Sequence, residues 1–335
     1  MIKIALDAMG GDHAPEATVK GAQLAIQSFN DIEICLFGDQ EQIRPYLSNE
    51  DRITIRHTNE KIQSDDEPVM AVRRKKEASM VMAANAVKNQ EFDALISAGN
   101  TGALLACGLL VVGRIKHIDR PGLMPLIPTG RADQPYLILM DAGANADCKP
   151  LNLHQFATLA NYYAKTVMKI DQPRIGLINN GTEANKGNDL TKAAFGLLEA
   201  DNELNFVGNV EAKSLLNGQI DITVADGFTG NAVLKTLEGT AKMIFSAIKE
   251  QVMQSGPLTK LGALLMKPSL KQLKDKFDDT KAGGAVLLGV KAPVIKAHGS
   301  SNEIAIFNAI RQARQVVESG FTEEVVQHFE NKALE

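Results

Sequence analysis

Cysteine is scarce in this chain. Cys35, Cys107 and Cys148 are three in number, far apart and without a C-x-x-C pair, so neither a disulfide framework nor a zinc site is indicated, and the compartment expected is reducing cytoplasm. Positive charge is not in excess. A formal net charge of -4 over 335 residues excludes the strongly basic surface of a generic nucleic-acid binder. No signal peptide is expected, because Lys3 and Asp7 interrupt the first apolar residues. The uncharged stretch from Ala94 to Gly113 has the length of a membrane span, but Gly99, Asn100, Thr101 and Gly102 split it into a buried strand, a turn and an apolar helix. Also missing are G-x-x-x-x-G-K-[ST], a G-x-G-x-x-G after the first strand, H-E-x-x-H and G-x-S-x-G. Kinase, dehydrogenase, zinc hydrolase and serine esterase readings all lose ground. The six histidines, His13, His57, His117, His154, His298 and His328, show no ligand spacing, and no metal site is expected. There is no low-complexity linker and no repeat of fixed period.

What the chain does have is one arrangement used six times: an apolar run, a Gly/Asn-rich turn bearing a hydroxyl, amide or charge, then a helical pattern. The six stretches run from Ile2 to Asp12, Ala94 to Ala103, Tyr136 to Asn145, Arg174 to Asp189, Ile222 to Asn231 and Val294 to Glu303. Helical patterns cover roughly Pro15 to Phe29, Asp66 to Asn89, Thr101 to Val112, Leu151 to Met168, Asp189 to Glu199 and Asn231 to Met253. Further strands are expected at Ile32 to Gly38, Ile53 to His57 and Phe206 to Val210. This alternation predicts an α/β fold, a doubly wound and mostly parallel sheet in a three-layer αβα sandwich, as a single domain over residues 1–335. In such a sheet the carboxyl ends of the strands share one edge, so the six turns are expected to gather into a single cleft. Glycine and asparagine let a backbone approach an anion closely, and the following helix start offers unpaired N–H groups. The cleft therefore suits an anion.

Two charged features lie outside the turns. Arg73, Arg74, Lys75 and Lys76 sit in a candidate helix whose start is marked by Ser64, Asp65, Asp66 and Glu67; they read either as a solvated face or as a docking patch for an acidic partner. Between Pro257 and Pro268, Leu258, Leu261, Leu264, Leu265 and Met266 accompany Lys260 and Lys267. A membrane-surface contact, a subunit interface and core packing all fit this segment, at about 250–277.

Asp7 to Asp12 (DAMGGD), Ser97 to Ala103 (SAGNTGA), Asp141 to Asn145 (DAGAN), Glu183 to Asp189 (EANKGND), Asp226 to Asn231 (DGFTGN) and His298 to Glu303 (HGSSNE), with AVRRKKEASM at Ala71 to Met80, form an ordered series over nearly the whole chain. In this it resembles the PlsX family of bacterial phosphate acyltransferases. Asn180, Ala282 and Val286 depart from the family pattern, at positions where an apolar residue, a tyrosine and a proline are expected. The resemblance implies transfer of a long-chain acyl group from acyl-acyl carrier protein to inorganic phosphate, giving acyl phosphate for phospholipid synthesis. It also implies a fold like that of the isopropylmalate dehydrogenase and phosphate acetyltransferase group, a homodimer, no metal or nucleotide cofactor, and no nucleic acid partner. Peripheral association with an anionic membrane at the inner face of the cell, and a downstream enzyme that acylates glycerol 3-phosphate, follow from the same likeness.

Phosphate attack on a thioester needs a cradle for a dianion and donors where the carbonyl oxygen becomes negative. Lys186 is the cation expected at the phosphate or the oxyanion. Asp226 and Asn231 are expected beside it, with His298 protonating the departing thiolate. Gly10, Gly11, Asn100, Thr101, Gly102, Asn145, Asn185, Gly187, Thr229, Gly230, Ser300 and Ser301 are expected to bind substrate or phosphate. Asp7 and Asp141 are expected at the substrate or phosphate as well, and with Asp226 they either orient a lysine, accept a proton from phosphate or cap the next turn. Rival readings are a phosphotransacylase using short acyl-coenzyme A, and a non-catalytic membrane scaffold.

Overall fold

A computed structural model describes residues 1–277 and 281–332, without the side chains of residues 274–276. In chain order its elements begin β1 (Ile2–Asp7), α1 (Glu16–Ser28), β2 (Ile32–Gly38), α2 (Gln40–Ile43), β3 (Ile53–His57), α3 (Pro68–Arg74), α4 (Ser79–Lys88), β4 (Ala94–Ser97) and α5 (Thr101–Cys107). The middle carries β5 (Gly122–Met124), β6 (Leu126–Pro128), β7 (Tyr136–Met140), α6 (Pro150–Thr166), β8 (Ile175–Asn179), α7 (Asp189–Ala200), β9 (Phe206–Glu211) and β10 (Ile222–Val224). The chain closes with α8 (Gly227–Gln254), α9 (Pro257–Lys276), β11 (Ala285–Leu288), β12 (Val294–Lys296), α10 (Glu303–Glu318) and α11 (Phe321–Lys332).

The expected α/β class holds, with the strands shared between two sheets. The first runs β3-β2-β1-β4-β12-β11-β5 and the second β6-β7-β10-β8-β9. Pairing is parallel from β3 through β12 and from β7 through β9, and antiparallel at β11 and β6. Both faces of the inner strands are covered, which is why Ile4 to Leu6 of β1, Ile34 to Phe37 of β2 and Ala94 to Ile96 of β4 are continuous apolar runs. Ile4, Leu6, Ile96 and Ile295 join the large core beneath α1 and α10, while Ala5, Leu95 and Val294 face the opposite cluster with α4 and α5. That large core also holds Phe156, Ile175 and Ile222, so it is continuous through both sheets. The sheets meet where the chain passes from β5 to β6. Ala142 N–H donates to the Leu123 carbonyl at 2.8 Å, and Leu139 N–H to the Pro125 carbonyl at 3.3 Å.

Several expected elements are redrawn. The single helix from Asp66 to Asn89 is two helices, broken at Lys75 to Ala78. The break is held by Thr58, whose hydroxyl donates to the Glu77 carbonyl at 2.6 Å, and by Ser79 N–H donating to the Glu60 carbonyl at 3.0 Å. It brings Ser79 over the carboxyl end of β1. The stretch to Val112 leaves α-helical geometry at Gly108 and widens into a π-type turn through Gly113. Helix α8 begins four residues before Asn231, because the Asp226 carboxylate accepts Thr229 N–H and caps the helix there. Pro268 lies inside α9 rather than ending a segment. In α9, Leu258, Leu261, Leu264, Leu265 and Met266 are 56–85% exposed, so ordinary core packing of this segment within the chain is excluded. No helix among the described residues is long and apolar enough to cross a membrane.

Candidate active site

At the carboxyl end of β1, the Asp7 carboxylate is buried and holds three segments together. Ser79 Oγ donates to Oδ1 and Ser97 Oγ to Oδ2, each at 2.6 Å, and Met9 N–H donates to Oδ1 at 3.2 Å. Burial pushes its pKa up against the hydrogen bonds that favour the anion. Beside it the turns after β1 and β4 touch. A Cβ on Gly10 would lie 2.7 Å from Gly99 N and 2.5 Å from Asp7 Oδ2, so this approach requires glycine. Gly11 faces the Gly299 carbonyl, to which Asp12 N–H donates at 2.8 Å. Three of the six turns thus converge.

Two more converge in the second sheet. Asp141, at the end of β7, is fully buried and accepts N–H bonds from Leu123, Ala144 and Asn145 and a side-chain bond from Asn145. Burial raises its pKa despite them. The Asn145 amide also donates to the Pro121 carbonyl at 2.7 Å. Helix α8 starts against this turn: Gly227 N–H donates to the Asn145 carbonyl at 2.7 Å, and a Cβ on Gly230 would fall 1.9 Å from the Asp141 carbonyl oxygen. Asn231 lies beside Gly143. Asp226 also accepts the Thr229 hydroxyl at 2.8 Å.

The sixth turn, after β8, stands next to β10 in sheet order. Asn179 donates to the Lys186 carbonyl and to Asn209 Oδ1, both at 3.1 Å, and Asn209 donates to the Glu183 carbonyl at 2.8 Å. These bonds shape the loop and leave Asn185 and Lys186 exposed, with Gly187 at a φ of 97°. The long ammonium stem of Lys186 is therefore available to a ligand.

The turns divide the expected residues by what they already bond. Asp7, Asp141, Asn145, Asp226 and Asn100 hold backbone groups of their own turns. Asn100 caps α5 through Ala103 N–H, and its amide reaches the carbonyls of Gln63, Ser64 and Asp66, while Gly102 abuts Pro68. Thr101, Lys186, Asn231, His298 and Ser300 are exposed. His298 Nδ1 accepts Ser300 N–H at 3.2 Å and lies 2.8 Å from Ser300 Oγ, which leaves Nε2 to carry the proton of a neutral ring. Ser301 is buried, and its hydroxyl has no partner among the described residues.

Sequence reasoning passed over Ser79, Ser97 and Lys296. A serine inside a helical pattern gives no local signal, but a lysine ending the apolar strand Val294–Lys296 does. The basic run is also less uniform than it reads. Lys75 pairs with Asp66 at 2.5 Å and Lys76 donates to the Val72 carbonyl, while Arg73 and Arg74 face solvent. A hollow of about 430 Å³ lined by Tyr162, Glu203, Glu324 and His328 holds none of the strand-end residues; convergence of the turns, not cavity size, defines the candidate site. No group of acidic, histidine and cysteine side chains among the described residues is arranged to hold a metal ion.

Comparison with known proteins adds three findings. A family model described as fatty acid synthesis protein matches residues 2–324. A phosphate acyltransferase of Enterococcus faecalis is 55% identical over 333 residues, spanning 99% of this chain and 100% of that relative, and one of Streptococcus mutans serotype c is 55% identical over 332 residues, spanning 99% of each. Among solved structures, a phosphotransacetylase from Streptococcus pyogenes superposes with a TM-score of 0.60 at 17% identity over 94% of both chains. A putative 4-hydroxythreonine-4-phosphate dehydrogenase from Salmonella typhimurium gives 0.53 at 14% identity, over 94% of this chain and 99% of that one. These two likenesses are of fold.

Proposed function

The chain belongs to the fatty acid synthesis protein family, and from that membership we propose that it moves a long-chain acyl group from acyl-acyl carrier protein to inorganic phosphate, supplying acyl phosphate to phospholipid synthesis. It is an acyltransferase that acts on phosphate. The observation that carries this is the 55% identity, along practically the whole chain, to proteins named phosphate acyltransferase.

The reaction balances with two substrates. A hydrogen phosphate dianion attacks the thioester carbonyl carbon, the C–S bond breaks, and the phosphate proton passes to the leaving sulfur; acyl phosphate and free thiol result. Lys186, on its exposed loop, follows charge from phosphate to the carbonyl oxygen. Asn231, Asn185 and Thr101 supply further hydrogen bonds, and His298 donates a hydrogen bond from Nε2 to the departing sulfur, which takes its proton from phosphate. Asp7, Asp141 and Asp226 act by keeping the turns in place. Their carboxylates are already surrounded by donors, which supports that role.

Arg73 and Arg74, with Lys76 nearby, form the docking surface for the acidic carrier protein. The exposed leucines and Met266 of α9 seat the protein on the inner face of an anionic membrane, where a downstream enzyme acylates glycerol 3-phosphate. The working unit is a homodimer, each chain acting as one domain. The deciding experiment measures thiol release from palmitoyl-acyl carrier protein with and without phosphate, for the parent and Lys186→Ala. Phosphate-dependent release, with acyl phosphate as product and largely lost in the variant, is expected. Release indifferent to phosphate would indicate a hydrolase, and turnover of acetyl-coenzyme A alone a short-chain phosphotransacylase.

A further inference from the structure

Lys296 ends β12 in register with Ser97 of β4, and Ser97 Oγ bonds Asp7 at the end of β1. The three residues form a row across adjacent parallel strands at their carboxyl ends. Side chains two apart on a strand share a face, so Asp7, Ser97 and Lys296 lie on the face that carries Ala5, Leu95 and Val294. This is the convergence point of three of the glycine-rich turns. Lys296 is half-buried there, and its ammonium donates to the carbonyl of Ala297, the next residue in the chain. Among the described residues no carboxylate pairs with it, and two of its three N–H groups find no acceptor.

A cation in such a place is partly desolvated and has no carboxylate at ion-pair distance among the described residues. Burial, and after it the charge of Lys235 on α8, hold its pKa down to about 8, with Asp12 and Asp7 acting in the opposite sense. Lys235 is itself paired with Glu238 at 2.8 Å. The repulsion it exerts on Lys296 links the first group of turns to the helix that starts at the second. An anion seated beside Lys296 would supply the missing acceptors and relieve that repulsion. A lysine that merely braced the turn would be expected to bond a carboxylate, as Lys75 does with Asp66.

We propose that Lys296 is the cation that holds inorganic phosphate for attack on the thioester, with its two remaining N–H groups bonded to phosphate oxygens. The inference rests on the acyl-to-phosphate reading and adds to it a residue and a task. Lys296 grips the nucleophile from the first sheet, leaving Lys186 of the second sheet to the developing oxyanion.

The test compares the parent, Lys296→Met and Lys296→Arg, with circular dichroism establishing that each folds. In steady-state thiol release, Lys296→Met is expected to raise KM for phosphate by about tenfold or more. KM for the acyl donor should stay within about twofold, and Lys296→Arg should recover part of the loss. An unchanged phosphate KM, or an equal rise for both substrates, overturns the assignment. Calorimetric titration with inorganic phosphate alone needs no turnover. Phosphate binding by the parent that is weakened in Lys296→Met supports the site even if the parent fails to transfer acyl groups. Equal binding by the two, or no binding by the parent, refutes it. Absence of phosphate-dependent thiol release by the parent refutes the acyl-transfer reading separately.

Discussion

Alanine at Gly230 would drive a wedge between the Asp141 turn and the start of α8. The new Cβ would stand 1.9 Å from the Asp141 carbonyl oxygen and 3.0 Å from its carbon, where ordinary contact begins at 3.4 Å. The helix start must therefore retreat by about 1.5 Å. It cannot do so freely, since Gly227 bonds the Asn145 carbonyl and Asp226 caps the same turn. Overpacking of this kind costs about 1–3 kcal/mol, and more where both partners are backbone. Helix propensity returns about 1 kcal/mol of that, because alanine outranks glycine in a helix interior. With both partners backbone the upper end of that range applies, so a net loss of about 2 kcal/mol is expected. Gly239 lies on the same helix with nothing within 4 Å of its would-be Cβ, so the identical substitution there should stabilise by about 0.5–1 kcal/mol. Thermal and urea unfolding, followed by circular dichroism on the two variants side by side, read the difference. Phosphate-dependent thiol release should fall in Gly230→Ala and hold in Gly239→Ala. A Gly230→Ala protein as stable as the parent would refute the close approach of the two turns.

The side chain of His328 is 10% exposed, its Nδ1 lies 3.0 Å from the Tyr162 hydroxyl, and burial pushes its pKa down. The unfolded chain then binds the extra proton as pH falls through about 6.5, so stability should decline between pH 7 and 5.5 and flatten in His328→Gln; a parent with no more decline than the variant contradicts this. Reversing Arg73 and Arg74 to glutamate should raise KM for the acidic acyl carrier protein by about three- to tenfold at low salt, with the gap closing as salt is added. An effect independent of salt, or none, removes the docking surface. Leu261→Glu with Leu265→Glu should abolish co-sedimentation with anionic vesicles while leaving the unfolding midpoint in place, since both side chains are mostly exposed. Undiminished binding by the folded double variant would end the membrane assignment.

Local pattern was enough for much of this molecule. The bounds of β2 and β3 were legible to the residue, as was the α/β class: β2 from its largely apolar buried run, and the edge strand β3 from its β-branched residues. The ordered turns from Asp7 to Glu303 carried the family resemblance, and the match over residues 2–324 bears it out. What the tertiary structure decided was how those pieces are shared and which polar groups stay available. The strands fall into two sheets, a serine from a broken helix and another from β4 hold Asp7, and the Asn100 amide is taken up by the loop at residues 63–66. The position of Lys296 at the end of an apolar strand was legible locally, but its place beside Ser97 and Asp7, half-buried and with one acceptor among the described residues, is set only by the pairing of β12 with β4. Periodicity and turn chemistry act over a few residues and can be read from the chain; strand order, burial and the partner of each buried polar group depend on segments as far apart as Asp7 and Ser97, whose encounter is settled by packing of the whole core.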